Sequence, residues 1–354
     1  MHGRQVGRLA LTPLHPQTCA FEYTEEWLRD GFSISPFELP LTPGLKIAPF
    51  KPFDGLFGVF ADSLPDGWGQ LILHRHLAQQ EINSLSLNPL QQLCLVGSNG
   101  RGALEYLPDE SIQNTQEYMD LQCIASEATA ILEDDNYTGK YIAELVQRGG
   151  SPGGARPKIF LKHEGAEWLV KFRAKGDKKS IGQEEYRYSL LARQCGIEMP
   201  ETRLFENLYF GVRRFDRVGN RKLHVVSAAG LLQADYLIPS IDYYHLFNIS
   251  ARLSHSMEEM WKIFRLMCFN VIIGNRDDHA KNFSFVYDNG WRFAPAYDLL
   301  PCGSTGDYHT TSVNDNPLPR REDCIRLAER VGLNTKQALL IYNEIERAAH
   351  KAKQ

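Results

Sequence analysis

Residues 275–282 read NRDDHAKN, with two adjacent aspartates, a histidine, a lysine and two asparagines in eight positions. The largely apolar stretch MEEMWKIFRLMCFNVIIG (257–274) leads into them, and FSFVY (283–287) follows. This pattern predicts a core helix closing near Gly274, a polar loop, and a hairpin turning at Asn289–Gly290. A helix sunk in a core delivers its terminal loop to a fixed place. Asp277 and Asn282 stand five apart, the D-x-x-x-x-N spacing of kinase catalytic loops. There the aspartate accepts the proton of an attacking hydroxyl, and the asparagine offers a neutral oxygen to Mg2+. After the hairpin, PAYDLLP (295–301) presents Asp298 before a proline-marked turn, in the manner of the aspartate of D-F-G. Mg2+ is held by one or two carboxylates plus phosphate oxygens, and Asp277, Asn282 and Asp298 make such a set. Asp278 reads as a solvated neighbour and His279 as a loop anchor. Lys281 has two readings, a contact to γ-phosphate or peptide and plain solvent exposure.

Upstream, GGSPGGARPK (149–158) holds four glycines and two prolines in ten residues, which excludes a regular element. Its glycines let N–H groups approach phosphate oxygens, although a flexible linker has the same composition. A hairpin follows, IFLKH and EWLVKF turning at Glu164–Gly165. Strand alternation sets Trp168 and Val170 on one face and Leu169 and Lys171 on the other. An inward lysine is costly unless paired, and a strand lysine after a glycine-rich segment is how kinases grip phosphates. The helix QEEYRYSLLARQCG (183–196) carries Glu184 and Glu185, either as partners of that lysine or as ordinary first-turn acids. TRLFEN and LYFGVRRF read as two further strands.

Residues 1–60 read as β-rich, with VGRLALT, CAFEYTEEWL and FELPL as strand-like pieces. DSLPDGWGQLILHRHLAQQ (62–80) reads as a helix entered through Pro65–Asp66, and GRGALEYLP (100–108) as a strand. Helices are expected within 116–147, behind a Ser256–Glu259 capping box, and at roughly 321–331 and 335–351. These elements predict an α+β fold, a β-rich lobe followed by a helical one, an order that suits a nucleotide cleft between lobes. Its parts would be 1–110, then 111–217 completing the β-rich lobe, then 218–354 as a helical lobe.

The 354 residues are 43% hydrophobic and carry a net charge of −4, with a pI near 6.3. That is enough apolar matter for a real core, and no global positive field draws the chain to nucleic acid or anionic membrane. Seven scattered cysteines without C-x-x-C pairing point to reduced thiols rather than a disulfide frame or zinc site. The N-terminus has no long apolar core, so no secretory leader is expected, and the longest apolar run is broken by Arg265 and Asn270. A cytoplasmic protein that does not enter membranes is the expectation.

These stretches together resemble the HipA family of bacterial Ser/Thr kinases, toxins of toxin–antitoxin modules. The resemblance runs along nearly the whole chain and implies a two-lobed protein-kinase-like fold with an extra N-terminal subdomain and a mainly helical C-terminal lobe. It rests on DSLPDGWG, GSNGRGALEYLP, SPGGARPK, RRFDR (213–217), NRDDHAKNFSF and AYDLLP, the last two being the most specific. It implies Asp277 as catalytic base, Asn282 and Asp298 as Mg2+ ligands, Lys171 on the ATP phosphates and Glu185 as its helix partner. It also implies Arg213 and Phe215 at the adenine and Ser151 as an inhibitory autophosphorylation site, beside which the glycine chemistry above makes Gly153 and Gly154 candidates for contact with the nucleotide phosphates. The hinge position that is acidic in the best-known members is Arg213 here. The implied partners are a HipB-like helix-turn-helix antitoxin, operator DNA through that antitoxin, and a protein substrate such as an aminoacyl-tRNA synthetase. Two rival expectations stand beside this one. The first is a kinase-fold module that docks an antitoxin and assists operator repression without catalysis. The second is a metal-dependent hydrolase built on Asp277, Asp278, His279 and Asp298.

Overall fold

The computed structural model of the chain describes residues 1–112, 120–134, 137, 139, 141–149, 153–302 and 307–353. These form two compact units. One comprises Met1–Ile34, Leu39–Gln183 and Glu201–Lys222; the other comprises Ser35–Glu38, Glu184–Pro200 and Leu223–Gln354.

The first unit opens with an antiparallel sheet of Gly7–Thr12, His15–Tyr23 and Lys46–Ile47. FELPL is not a strand. Leu39 is buried and its carbonyl accepts the Tyr23 and Ser33 hydroxyls, so side chains satisfy the backbone where a ladder was expected. The helix Gly67–Gln79 begins just after Asp66, as the sequence predicts. The glycine-rich segment leads into a four-stranded antiparallel sheet, in the order Lys158–His163, Ala166–Lys171, Tyr209–Arg213, Thr202–Phe205. Its first hairpin turns on Glu164 (φ 50°) and Gly165 (φ 76°), the positive pair that suits the strand twist. Ile159, Leu161, Trp168 and Val170 share one face of this sheet and bury it against Trp68 and Ile72, together with Ile124, Ala128 and Ile131 of the helix Leu121–Glu133. Each large apolar side chain so buried contributes about 2 kcal/mol.

GRGALEYLP forms no strand either, because its polar backbone is claimed by arginines. The Gly100 carbonyl accepts Arg214 and Arg217, the Gly102 carbonyl accepts Arg217, and the Gly102 N–H donates to Asp216.

The second unit is built on the helix Met257–Ile273, where Ile263, Phe264, Met267, Cys268 and Phe269 are completely buried. The expected Ser256–Glu259 capping box is absent. Ser256 makes no side-chain cap, and Glu259 is buried, accepting the Phe293 N–H at 2.6 Å and Lys262 at 2.7 Å. That pins the helix to the strand Trp291–Phe293. This strand belongs to a three-stranded sheet with Ser284–Tyr287 and His224–Ser227, the last unforeseen from sequence. Ile241–Asp242 pairs in parallel with Thr311–Ser312. The helices Arg321–Arg330 and Thr335–Lys353 close the chain. All seven cysteines are free thiols. Among the described residues, no helix is long and apolar enough to cross a membrane.

Candidate active site

Gly274 ends the core helix in a left-handed turn (φ 73°), donating its N–H to the Asn270 carbonyl. Left-handed backbone is easy for glycine and opens the way into NRDDHAKN. Asn275, only 2% exposed, then ties two segments together. Its Nδ2 donates to Asn270 Oδ1 at 3.0 Å and to the Asp298 carbonyl at 3.2 Å, and its Oδ1 accepts the Cys302 thiol at 3.3 Å. Arg276 N–H donates to the Cys302 carbonyl and Cys302 N–H to the Gly274 carbonyl, so the two segments run side by side. Farther along, the Tyr297 hydroxyl donates to the Lys281 carbonyl at 2.8 Å. Within the loop, Asn282 Nδ2 donates to the Asp277 carbonyl at 2.7 Å. That leaves the Asn282 carbonyl oxygen as the atom suited to a cation. Asp298 itself holds φ at +55°, a strained value that short polar side chains tolerate and that clusters at functional sites.

The Asp277 side chain is 67% exposed, with His279 Nε2 4.0 Å from its carboxylate. The other ring nitrogen of His279 accepts the Lys281 N–H at 3.3 Å, so the histidine anchors the loop. The Lys281 ammonium sits 4.1 Å above the Tyr236 ring, a cation–π contact that fixes it beside the loop.

Asp278 overturns its reading as a solvated neighbour. It is 1% exposed and accepts the Tyr243 hydroxyl at 3.1 Å, His309 Nδ1 at 2.9 Å, and the Thr310 and Thr311 N–H groups at 3.0 and 3.2 Å. Buried carboxylates need that satisfaction, and this one uses it to nail the loop to the core. With both its oxygens engaged, Asp278 cannot serve the hydrolase rival. Among the described residues, no three His, Cys, Asp or Glu side chains gather as a metal site. Asp278→Asn keeps the shape but turns one acceptor into a donor facing other donors. It should cost about 1–3 kcal/mol, measured as a drop in the urea midpoint.

In the first unit, Lys171 is 8% exposed, with its ammonium 5.7 Å from the Phe210 ring. Its cross-strand partner is Lys158, only 3% exposed. Two ammoniums on neighbouring strands concentrate positive charge on that face of the sheet, which suits phosphate oxygens. Lys158 escaped the sequence reading because it was counted with the glycine-rich segment. Alternation backward from Ile159 exposes it.

The glycine-rich segment is anchored at Gly154. Its N–H donates to the Asp66 carboxylate, while the Gly153 carbonyl accepts the Lys158 ammonium. Ser151 lies outside the described residues. Arg213 pairs across the strands with Trp168, on the face opposite Lys171; its side chain is 52% exposed and meets Glu201 at 3.4 Å. The structure therefore does not bring the Arg213 side chain to Lys171. Phe215 is half-buried, and Glu185 is buried on the helix Ile181–Gln194, in the second unit. The neighbours of Arg213 do different work. Asp216 receives Arg214 at 2.8 and 3.0 Å and Arg217 at 2.8 Å, all three nearly buried.

Residues 150–353 match the HipA-like C-terminal domain and residues 1–107 the HipA N-terminal domain. The chain therefore belongs to the HipA family, a family of kinases. The Ser/Thr-protein kinase toxin HipA of Shewanella oneidensis is 22% identical over 92% of this chain and 81% of its own length. A kinase-named relative from Sinorhizobium fredii is 24% identical over 82% of this chain and 73% of that protein. The solved structure of Shewanella oneidensis HipA, in complex with HipB and operator DNA, superposes with a TM-score of 0.69 at 19% identity, covering 98% of this chain and 88% of that one. The fold is thus the expected α+β, two-lobed kinase-like one.

Proposed function

We propose that this chain is an ATP- and Mg2+-dependent protein Ser/Thr kinase with Asp277 as its general base. The observation that carries the reading is the lashing of NRDDHAKN to the Asp298 segment through Asn275 and Tyr297. Those bonds hold one exposed carboxylate, one amide oxygen and a second carboxylate on neighbouring stretches of chain. The donor set suits Mg2+, which takes hard oxygen ligands and keeps room for phosphate. Asn282 and Asp298 would hold the metal, and Lys171 and Lys158 would face the phosphates. The metal nucleotide supplies the phosphoryl group and neutralises charge on it. The protein positions the acceptor hydroxyl, receives its proton at the Asp277 carboxylate, and keeps Lys281 beside the loop. Catalysis of this kind is mostly placement and preorganised charge.

Asp298→Asn removes one full charge from the metal set. Mg2+-dependent ATP affinity should fall about tenfold or more, measured by titration with and without Mg2+; unchanged affinity would strike Asp298 from the set.

Ser151 is the proposed autophosphorylation site. A phosphoserine brings about −1.5 to −2 charges, which cannot lie beside ATP phosphates without repulsion. The solved Shewanella complex of HipA with HipB and operator DNA supports a HipB-like antitoxin, and operator DNA through it, as partners here; the substrate proposed from the family resemblance is a protein of the aminoacyl-tRNA synthetase kind. Phosphosite mapping after incubation with Mg·ATP, on the purified chain and on lysate, tests the site and the substrate together. Phosphate on Ser151 and on one lysate protein is expected; phosphate on neither would count against both.

A further inference from the structure

Asp66 occupies the N-cap of the helix Gly67–Gln79, yet its side chain makes no capping bond to that helix. It reaches to the glycine-rich segment instead, where Asp66 Oδ1 accepts the Gly154 N–H. The carbonyl of the same glycine accepts the Trp68 N–H at 3.1 Å. The Trp68 N–H is one of the first-turn donors that a helix cannot satisfy internally, so helix end and loop complete one another. Gly154 is gripped through both its donor and its acceptor.

The grip depends on glycine at two places. Gly154 holds φ at +102°, and a Cβ there would lie 2.5 Å from the Lys158 ammonium. Gly67 holds φ at +41°, and a Cβ there would lie 2.8 Å from the Gly154 carbonyl oxygen. Directly before the clamp, the Gly153 carbonyl accepts Lys158, the buried lysine paired across the strands with Lys171.

We infer that Asp66 is a positioning residue for the nucleotide. With the Trp68 N–H, it fixes the stalk of the glycine-rich segment and thereby the place of Lys158. This gives a helix from the first 107 residues a part in ATP binding, and it rests on the kinase reading above. Because Asp66 makes no capping bond to its own helix, removing it takes no hydrogen bond from that helix.

The test uses the full chain. Single-turnover autophosphorylation is followed against ATP concentration, and amide exchange is followed over residues 153–158. Asp66→Ala should raise the half-saturating ATP concentration about tenfold, with the maximal rate changed far less, and should speed Gly154 exchange at least about tenfold. Asp66→Asn keeps an acceptor oxygen and should recover most of both. Gly154→Ala should reproduce the alanine variant, and these two substitutions carry the comparison if Asp66→Ala fails to fold. A lowered melting temperature with unchanged ATP dependence would make Asp66 merely structural and overturn the inference. A lowered half-saturating concentration would overturn it too, by making the carboxylate a competitor of phosphate. If the wild type transfers no phosphate at all, the kinase reading fails. The exchange data still judge the clamp, and unchanged Gly154 protection in Asp66→Ala refutes it.

Discussion

Asp277→Asn is expected to lower phosphoryl transfer from ATP by about 10²- to 10⁴-fold, the usual worth of a positioned general base. Asparagine keeps the size of the side chain but cannot take the proton of an acceptor hydroxyl. The loop should survive the change, because its main ties run through other groups. The bond from Asn282 goes to the Asp277 backbone carbonyl, and the buried anchor is Asp278. ATP affinity should therefore stay within about threefold of wild type, since nothing assigned to the phosphates has been removed. Following γ-³²P transfer alongside ATP titration separates the two quantities. Transfer at the wild-type rate would remove Asp277 from the chemistry.

The other large effect falls on stability, at Asp216. Burial pushes its carboxyl up, but the charges of Arg214 and Arg217, the hydrogen bonds from Arg214 and the Gly102 N–H more than reverse that, holding it down to about 2. Asp216→Ala would leave two nearly buried guanidiniums without their shared acceptor. Breaking a buried pair in this way costs about 3–5 kcal/mol. Glu167 remains 3.3 Å from Arg214 and 3.6 Å from Arg217, which favours the lower end of that range. The urea midpoint reports the loss. Because the folded value is depressed, this stabilisation is present above the ordinary value of 3.8 and is lost as pH falls through about 2. The gap between wild type and Asp216→Asn should thus be full at pH 7 and visibly narrower at pH 3.

Much of the architecture was legible because local rules and global fold agree. The apolar helix closing at Gly274, the hairpin at Glu164–Gly165 and the alternation that turns Lys171 inward follow from period and turn chemistry alone. What stayed hidden depends on partners distant in sequence. FELPL and GRGALEYLP have strand-like composition, but the hydroxyls of Tyr23 and Ser33 and the guanidiniums of Arg214 and Arg217 claim their backbone. Glu259 has the spacing of a capping residue, yet a strand N–H from Phe293 takes it. Asp278 looks like Asp277 in the sequence. Only the approach of Tyr243, His309 and Thr310 marks one as anchor and leaves the other exposed. In the candidate site, residue types and spacing single out Asp277, Asn282 and Asp298 as the candidates. The bonds from Asn275 and Tyr297 that hold their segments together gave no signal, because nothing local distinguishes a tethering asparagine or tyrosine from any other.

The most direct test of the central claim is a crystal of the chain grown with Mn2+ and a non-hydrolysable ATP analogue, with the metal located by its anomalous signal. The account predicts one Mn2+ bound by Asn282 Oδ1 and an Asp298 carboxylate oxygen at about the 2.1 Å typical of such hard cations, with the analogue's phosphates completing its shell. A metal bound elsewhere, with those two side chains turned away from it, would contradict the account.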